Sequence, residues 1–267
     1  MTQSKNPVVS EIQDRFAGVQ KLTEMFVTQD DAVIRGLLVS GNAGMGKTHF
    51  VKRAFIETGT TEQVQYIKGS SMTAAALYVL LYLNREAGSV LVLDDVDIVG
   101  KSGQELATIL DLFKGATEPT KGERMLGWQR ASMNQSMRDN NVPMEFDFQG
   151  AIVWITNDTI EDIARKAKGH WNAIASRFVQ PKGLWLNDQE KLLYTLHLIE
   201  EENMLGMDCE AKEGGYSDEV IQDTITYVRK NYRSLNDITP RTSIMIASLR
   251  DLYPDNWEVL CDNQMLS

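Results

Sequence analysis

Eight consecutive residues, Gly41-Asn42-Ala43-Gly44-Met45-Gly46-Lys47-Thr48, limit what this chain can become more than any other stretch. They satisfy the pattern G-x-x-x-x-G-K-[ST]. Residues 34–40 form an apolar, strand-like run leading in, and residues 47–57 read as a helix leading out. That order has a physical purpose. The strand delivers the loop, the glycines let backbone N–H groups turn toward one point, and the helix N-terminus adds partial positive charge, which together make a cradle for phosphate. Lys47 would reach the β- and γ-phosphates and Thr48 would offer its hydroxyl to Mg²⁺. The loop, with His49 after it, is the candidate nucleotide-binding set. An accidental glycine-rich turn is the bland alternative, and the complete set of fixed positions with both flanks argues against it.

With 267 residues, 43% hydrophobic and 24% charged, the chain has length for one large domain, or one large and one small. A net charge of −10 excludes a surface that is basic throughout, as indiscriminate nucleic-acid binding would need. Cys209 and Cys261 stand in no metal or redox spacing. The first ten residues lack an apolar signal core, and no apolar run approaches membrane-spanning length. The expectation is a cytoplasmic protein with no membrane partner.

Residues 1–9 read as a flexible tail. Ser10-Glu11-Ile12-Gln13 fits a capping box opening a helix, with Ile12, Phe16, Val19, Leu22 and Phe26 as its apolar stripe. Gly59 ends the helix after the loop. Strand candidates follow at 63–67, 89–93 and 151–156, the last two continuous apolar runs of the kind buried on both faces of a parallel sheet. Residues 144–148 alternate like a hairpin strand, and 183–186 read as the last short strand. A helix holding Trp171, Ile174, Ala175 and Phe178 inward leaves Arg177 on its flank. Beyond residue 187 only helical patterns remain, with Thr239-Pro240 opening one helix by cap and proline, and Asp255 capping the last. Alternating strands and helices followed by helices alone predict a parallel α/β core over 10–186 and a small all-helical domain over 187–267.

A phosphate loop needs a metal site and a base. Val90-Leu91-Val92-Leu93 ends in Asp94-Asp95, and carboxylates at the carboxyl end of a buried parallel strand stand where ligands bind. Asp94 is the candidate Mg²⁺ ligand beside Thr48. Asp95 is the candidate for orienting or deprotonating water. Asn157, at the end of the next buried strand, could hold the same water or the γ-phosphate. Strand-terminal asparagines are also common in turns. Arg177 and Arg241 are candidate guanidiniums for the charge that phosphoryl transfer develops. A lone surface arginine is otherwise a solvated charge.

Taken together these segments resemble an AAA+ ATPase over residues 10–262. Gly41–Thr48 matches that family's Walker A loop and Leu91–Asp95 its Walker B strand. Asn157 matches sensor 1, Ser176-Arg177-Phe178 the arginine-finger box, and Pro240-Arg241 sensor 2. Phe146-Asp147-Phe148-Gln149-Gly150 and Asp255-Asn256-Trp257-Glu258 resemble phage-encoded members. The resemblance implies a P-loop domain with a five-stranded parallel sheet in the order 5-1-4-3-2. It implies ATP and Mg²⁺ as ligands, with nucleotide held between core and lid. It further implies a ring or spiral homo-oligomer, such as a hexamer, in which Arg177 completes a neighbour's site. Asp95 departs from the glutamate that many members carry, and the shorter side chain predicts either slow hydrolysis or a helix that sits closer. Neither an added N-terminal recognition domain nor a protease segment is expected.

The pore-facing stretches implied by the resemblance are Lys68–Met72 and the irregular 115–141, where Trp128 beside Arg130 could stack on a polymer or simply pack. The leading expectation is an oligomeric ATPase that remodels or translocates a macromolecule, protein or nucleic acid. The rival is an ATP-binding switch that recruits a replication protein or DNA with little turnover. A small-molecule phosphotransferase fits the helical C-terminal third and the Asn157, Arg177 and Arg241 set less well.

Overall fold

The computed structural model describes residues 3–29, 33–69, 71–98, 100–120, 122–128, 133–207, 209 and 211–266. The chain forms two compact units, one of residues 16–41 and 47–182, the other of residues 1–15, 42–46 and 183–267.

The first unit is an α/β sheet domain. Its strands are β1 (Gly36–Ser40), β2 (Val64–Lys68), β3 (Val90–Asp94), β6 (Ala151–Thr156) and β7 (Phe178–Val179), all parallel, in the order β2-β3-β6-β1-β7. A separate antiparallel ribbon pairs β4 (Met125–Gly127) with β5 (Glu145–Asp147). Without the ribbon, the sheet read from the β7 edge runs 5-1-4-3-2. The continuous apolar runs of β1, β3 and β6 are buried along their whole length, as both covered faces require.

Strand alternation sorts the side chains. On one face Leu38, Leu91, Leu93, Ile152, Trp154 and Phe178 join a core with helices α3 (Ala74–Leu83), α4 (Gly103–Ala116), α6 (Ile160–Ala167) and α7 (Trp171–Ala175). The other face takes α2 (Lys47–Glu57), where Phe55 meets Tyr66 of β2 edge-on and Phe50 stacks at 5.0 Å on Phe16 of α1 (Pro7–Thr28). Asp94 alternates onto this second face, toward α2. The short helix α5 (Gln135–Asp139) lies between β4 and β5 in the chain.

The second unit gathers α8 (Asp188–Glu200), α9 (Asp218–Asn231), α10 (Pro240–Leu252) and α11 (Trp257–Met265). Leu196, Ile199, Leu205, Val220, Val228, Ile246 and Trp257 share one core, and Cys209 and Cys261 are buried in it unbonded.

Four local expectations need correction. First, α1 opens at Pro7, not at a Ser10 box, because Asn6 accepts from the Val8 N–H at 3.0 Å and proline fills the first helical position. Second, the fifth sheet strand is Phe178–Val179, paired with Gly36–Leu37, and residues 183–186 are an extended connector. That connector spends its hydrogen bonds on Asn42, whose N–H donates to Leu184 O and whose Oδ1 accepts from the Leu186 N–H. Third, Phe178 therefore packs from a strand, against Phe113, and α7 ends at Ala175. Fourth, Asn256 rather than Asp255 precedes α11, with no side-chain cap bond.

The polymer-clamp reading of Trp128 is also overturned. Its ring is 5% exposed and lies against Tyr78, whose hydroxyl bonds the carbonyls of Leu126, Pro143 and Met144. Burial of apolar ring area outweighs display of an aromatic in solvent. Arg130 lies outside the described residues, as does Ser70 of the other implied pore stretch, in which Met72 is buried.

Candidate functional site

Parallel pairing brings the carboxyl ends of three strands side by side, with Ser40 opposite Thr156 and Ile155 opposite Asp94. Every residue that follows a strand here is therefore delivered to one edge of the sheet. Gly41, Asp95 and Asn157 are those residues.

Lys47, at the start of α2, is 5% exposed and donates from Nζ to Gly41 O at 2.8 Å and to Asn157 Oδ1 at 2.7 Å. Asn157 in turn donates from Nδ2 to Asp95 Oδ1 at 2.8 Å. Lys47, Asn157 and Asp95 thus form one connected network. Asp95 is exposed and sits in the left-handed region at φ +52°, a conformation that aspartate tolerates better than most residues. Its N–H still bonds Ile155 O at 3.1 Å, so the chain turns only after the last ladder bond.

Beside this network, the Thr48 hydroxyl donates to Asp94, with Oγ1 3.0 Å from Oδ1 and 3.1 Å from Oδ2. Asp94 is 1% exposed. Burial pushes its carboxyl above the ordinary range, against the Thr48 hydrogen bond, while Asp95 raises it further and Lys68 and Lys47 lower it. Lys68 Nζ is 3.9 Å away and largely exposed. A buried carboxylate adjoining a hydroxyl is a hard oxygen pair, the donor type Mg²⁺ takes when phosphate and water complete its shell. Among the described residues no group of three or more His, Cys, Asp or Glu could enclose a metal, so any cation here is only partly protein-held.

In the other unit the loop residues meet α10. Gly44 and Gly46 have φ of +70° and +100°, and a Cβ on Gly44 would come within 3.1 Å of Thr239. Thr239 caps α10 by accepting from the Thr242 N–H, with Pro240 next. Arg241 is exposed in that first helical turn. Met45 is 1% exposed, so only its backbone can face a ligand, and Ala43 and His49 are exposed.

The geometry joins Lys47 to Asn157 and Asp95, and Thr48 to Asp94. Arg177 stands apart. It directly precedes β7, whose Phe178 pairs with Gly36, the first residue of β1, whereas the loop follows Ser40. Four residue steps separate those levels, roughly 13 Å along a strand. Arg177 is ion-paired with Glu118 at 2.6 Å. A pair of this kind, 59 residues apart, has no local signature in the sequence. The Asn42–Leu186 clip and the Gly44–Thr239 approach were missed for the same reason, although the Thr239-Pro240 cap was visible.

Lys47 and Thr48, a carboxylate pair and a strand-end asparagine converge on one edge of a sheet in the order 5-1-4-3-2. The chain resembles the AAA+ ATPases. No protein-family model matches it. It is 30% identical over 230 residues to the uncharacterized 36.7 kDa protein of the nrdC-mobD intergenic region of Enterobacteria phage T4, over 84% of this chain. The chain spans 66% of that phage protein's length. Similar solved structures include the Thermotoga maritima RuvB Holliday junction branch migration motor, with a TM-score of 0.47 and 15% identity over 89% of this chain and 62% of that one. Domain III of the Thermotoga maritima replication initiation protein DnaA gives 0.45 and 12% over 98% and 88%. AMPPCP-bound DnaA from Aquifex aeolicus gives 0.43 and 13% over 89% and 62%. Among the described residues no helix is long and apolar enough to cross a membrane.

Proposed function

We propose that the chain is an Mg²⁺-dependent ATPase that works as a ring or spiral of identical copies in the cytoplasm, the host's if it is phage-encoded, and remodels or moves a macromolecular partner. One observation carries this reading: Lys47, Asn157 and Asp95 are hydrogen-bonded in series beside the Thr48–Asp94 pair. The division of labour follows from charge. Lys47 and the loop N–H groups of residues 41–48 grip the phosphates. Thr48 and Asp94 would hold Mg²⁺, which when bound would neutralise charge on the phosphate oxygens. Asp95 accepts a proton from the attacking water, whose oxygen bonds the γ-phosphorus as the bond to ADP breaks. Asn157 fixes Asp95 relative to Lys47. Arg241 contributes positive charge from the first turn of α10, and Arg177 acts on the site of an adjacent copy. The amino-end position of Arg177 on the sheet supports action in trans.

The switch reading keeps one support. Asp95 has a short side chain, and its Oδ1 is already engaged by Asn157. Two measurements decide. Particle mass with a non-hydrolysable ATP analogue, with and without single-stranded DNA, tests assembly, and a particle that stays monomeric throughout removes the ring. ATP turnover under the same conditions separates motor from switch, since tight binding without turnover favours the latter.

A further inference from the structure

Arg177 is more thoroughly occupied than a surface arginine. Its Nε and Nη2 donate to Glu118 Oε2 at 3.2 and 2.6 Å, and its Nη1 donates to Ala173 O at 2.9 Å. Both side chains are about three-quarters buried, at 25% and 23% exposure. Glu118 is itself anchored. It follows α4, its backbone carbonyl accepts from Arg124 Nε at 2.6 Å, and Arg124 is 3% exposed. The Thr120 hydroxyl approaches Glu118 Oε1 at 3.4 Å. The Arg177 hydrogen bond holds the Glu118 carboxyl below the usual carboxylate range.

This geometry neutralises the one guanidinium that the proposed function assigns to an adjacent copy. Partly buried arginine–carboxylate contacts are among the stronger polar interactions, and any anion that recruits Arg177 competes for the same N–H donors. We propose that Glu118 is a latch: it holds Arg177 within its own chain until the triphosphate of a neighbouring copy displaces the carboxylate. The latch rests on the reading that Arg177 acts in trans. An unassembled subunit then keeps its guanidinium paired, and turnover rises only when a neighbour with bound nucleotide exchanges one anion for the other.

The test is ATP turnover per subunit over a range of protein concentrations for the full chain, Glu118→Gln, Glu118→Ala, Arg177→Ala and Glu118→Gln combined with Arg177→Ala. An unfolding midpoint for each shows that it is folded. Both Glu118 variants are expected to reach half-maximal turnover at a several-fold lower protein concentration than the natural chain, and the shift is expected to vanish when Arg177 is alanine. Curves that superpose on the natural chain overturn the latch. So does a fall of both variants to the Arg177→Ala level, which would make Glu118 a support for Arg177. A chain without turnover, with or without the Glu118 substitutions, overturns it too. If Arg177→Ala matches the natural chain, the shared site itself fails. If Arg177→Ala is inactive while the Glu118 curves do not move, only the latch fails.

Discussion

The Asn157 side-chain amide donates to Asp95 Oδ1 at 2.8 Å across 62 residues of sequence, tying the candidate base to the end of the neighbouring strand. The same amide accepts from Lys47 at 2.7 Å, so one neutral group spaces a cation and an anion. Removing it breaks the link between the two charges, although Lys47 keeps its bond to Gly41 O. Asn157→Ala is expected to keep ATP affinity within about tenfold and to lower turnover by about 10²-fold, the scale of losing one oriented polar group at a reacting centre. Equilibrium binding and steady-state rates measured side by side check this. A variant that loses affinity and rate equally would make Asn157 a binding group instead.

Lys47→Ala and Asp95→Asn should part company. A bound ligand raises stability by mass action, about 2.7 kcal/mol at a hundredfold excess over Kd. Lys47→Ala removes the ammonium that Gly41 O and Asn157 Oδ1 position, and ATP is expected to leave its unfolding midpoint unchanged. Asp95→Asn keeps every phosphate contact, so its midpoint should rise with ATP while hydrolysis stops.

Asp94 combines the candidate Mg²⁺-ligand position with a cost to the fold. Its carboxyl is raised by burial, so the folded chain holds that proton more tightly than the unfolded chain does. The contribution therefore favours the fold below the ordinary carboxylate range and is lost as pH rises through the raised value. At neutral pH, Asp94→Asn is expected to raise the unfolding midpoint. The advantage should shrink as pH falls toward the ordinary carboxylate range. The variant should also lose the Mg²⁺ dependence of nucleotide binding. Melting curves across that pH range check the first part and titrations with and without Mg²⁺ the second.

Trp128 and Tyr78 test the role of the ribbon. Trp128 is 5% exposed and its ring centroid lies 5.3 Å from that of Tyr78, whose hydroxyl is pushed up to about 12 by burial. Trp128→Ala should cost about 3–5 kcal/mol of stability, as for other buried aromatics, with nucleotide affinity unchanged in the folded fraction. Denaturant unfolding measures it. A loss well under 1 kcal/mol, together with weaker binding of single-stranded DNA or peptide, would restore a clamp.

What could be read in advance follows the range of the physics involved. The loop, the Asp94-Asp95 strand end and Asn157 were legible because each is fixed by its immediate neighbours: an apolar run, then a residue with a polar tip. The sheet order came with the resemblance, and the ladder registers agree with it. The fifth strand was misread because two short apolar segments, Phe178–Val179 and residues 183–186, compete for one edge, and only pairing with Gly36 decides between them. Trp128 was ambiguous because exposure is a tertiary property. The Glu118–Arg177 pair, 59 residues apart, has no local pattern at all.

Gly44 offers a test in which strain and contact can be separated. Its φ of +70° would strain any L side chain, and a Cβ there would meet Thr239 Cβ and Oγ1 at 3.1 Å. Gly59 supplies the comparison, with φ +67° and nothing within 4 Å of the same added carbon. Gly59→Ala should therefore report the left-handed strain alone, about 1–2 kcal/mol. Gly44→Ala should lose more, because Thr239 is buried at the cap of α10 and cannot swing away without releasing the Thr242 N–H. It should also weaken nucleotide binding, since the loop N–H groups can no longer converge, while Gly59→Ala binds normally. Denaturant unfolding and ATP titration of the two variants measure both differences. Equal losses of stability with unchanged affinity would mean that the loop yields freely and that the approach of Thr239 does not shape it.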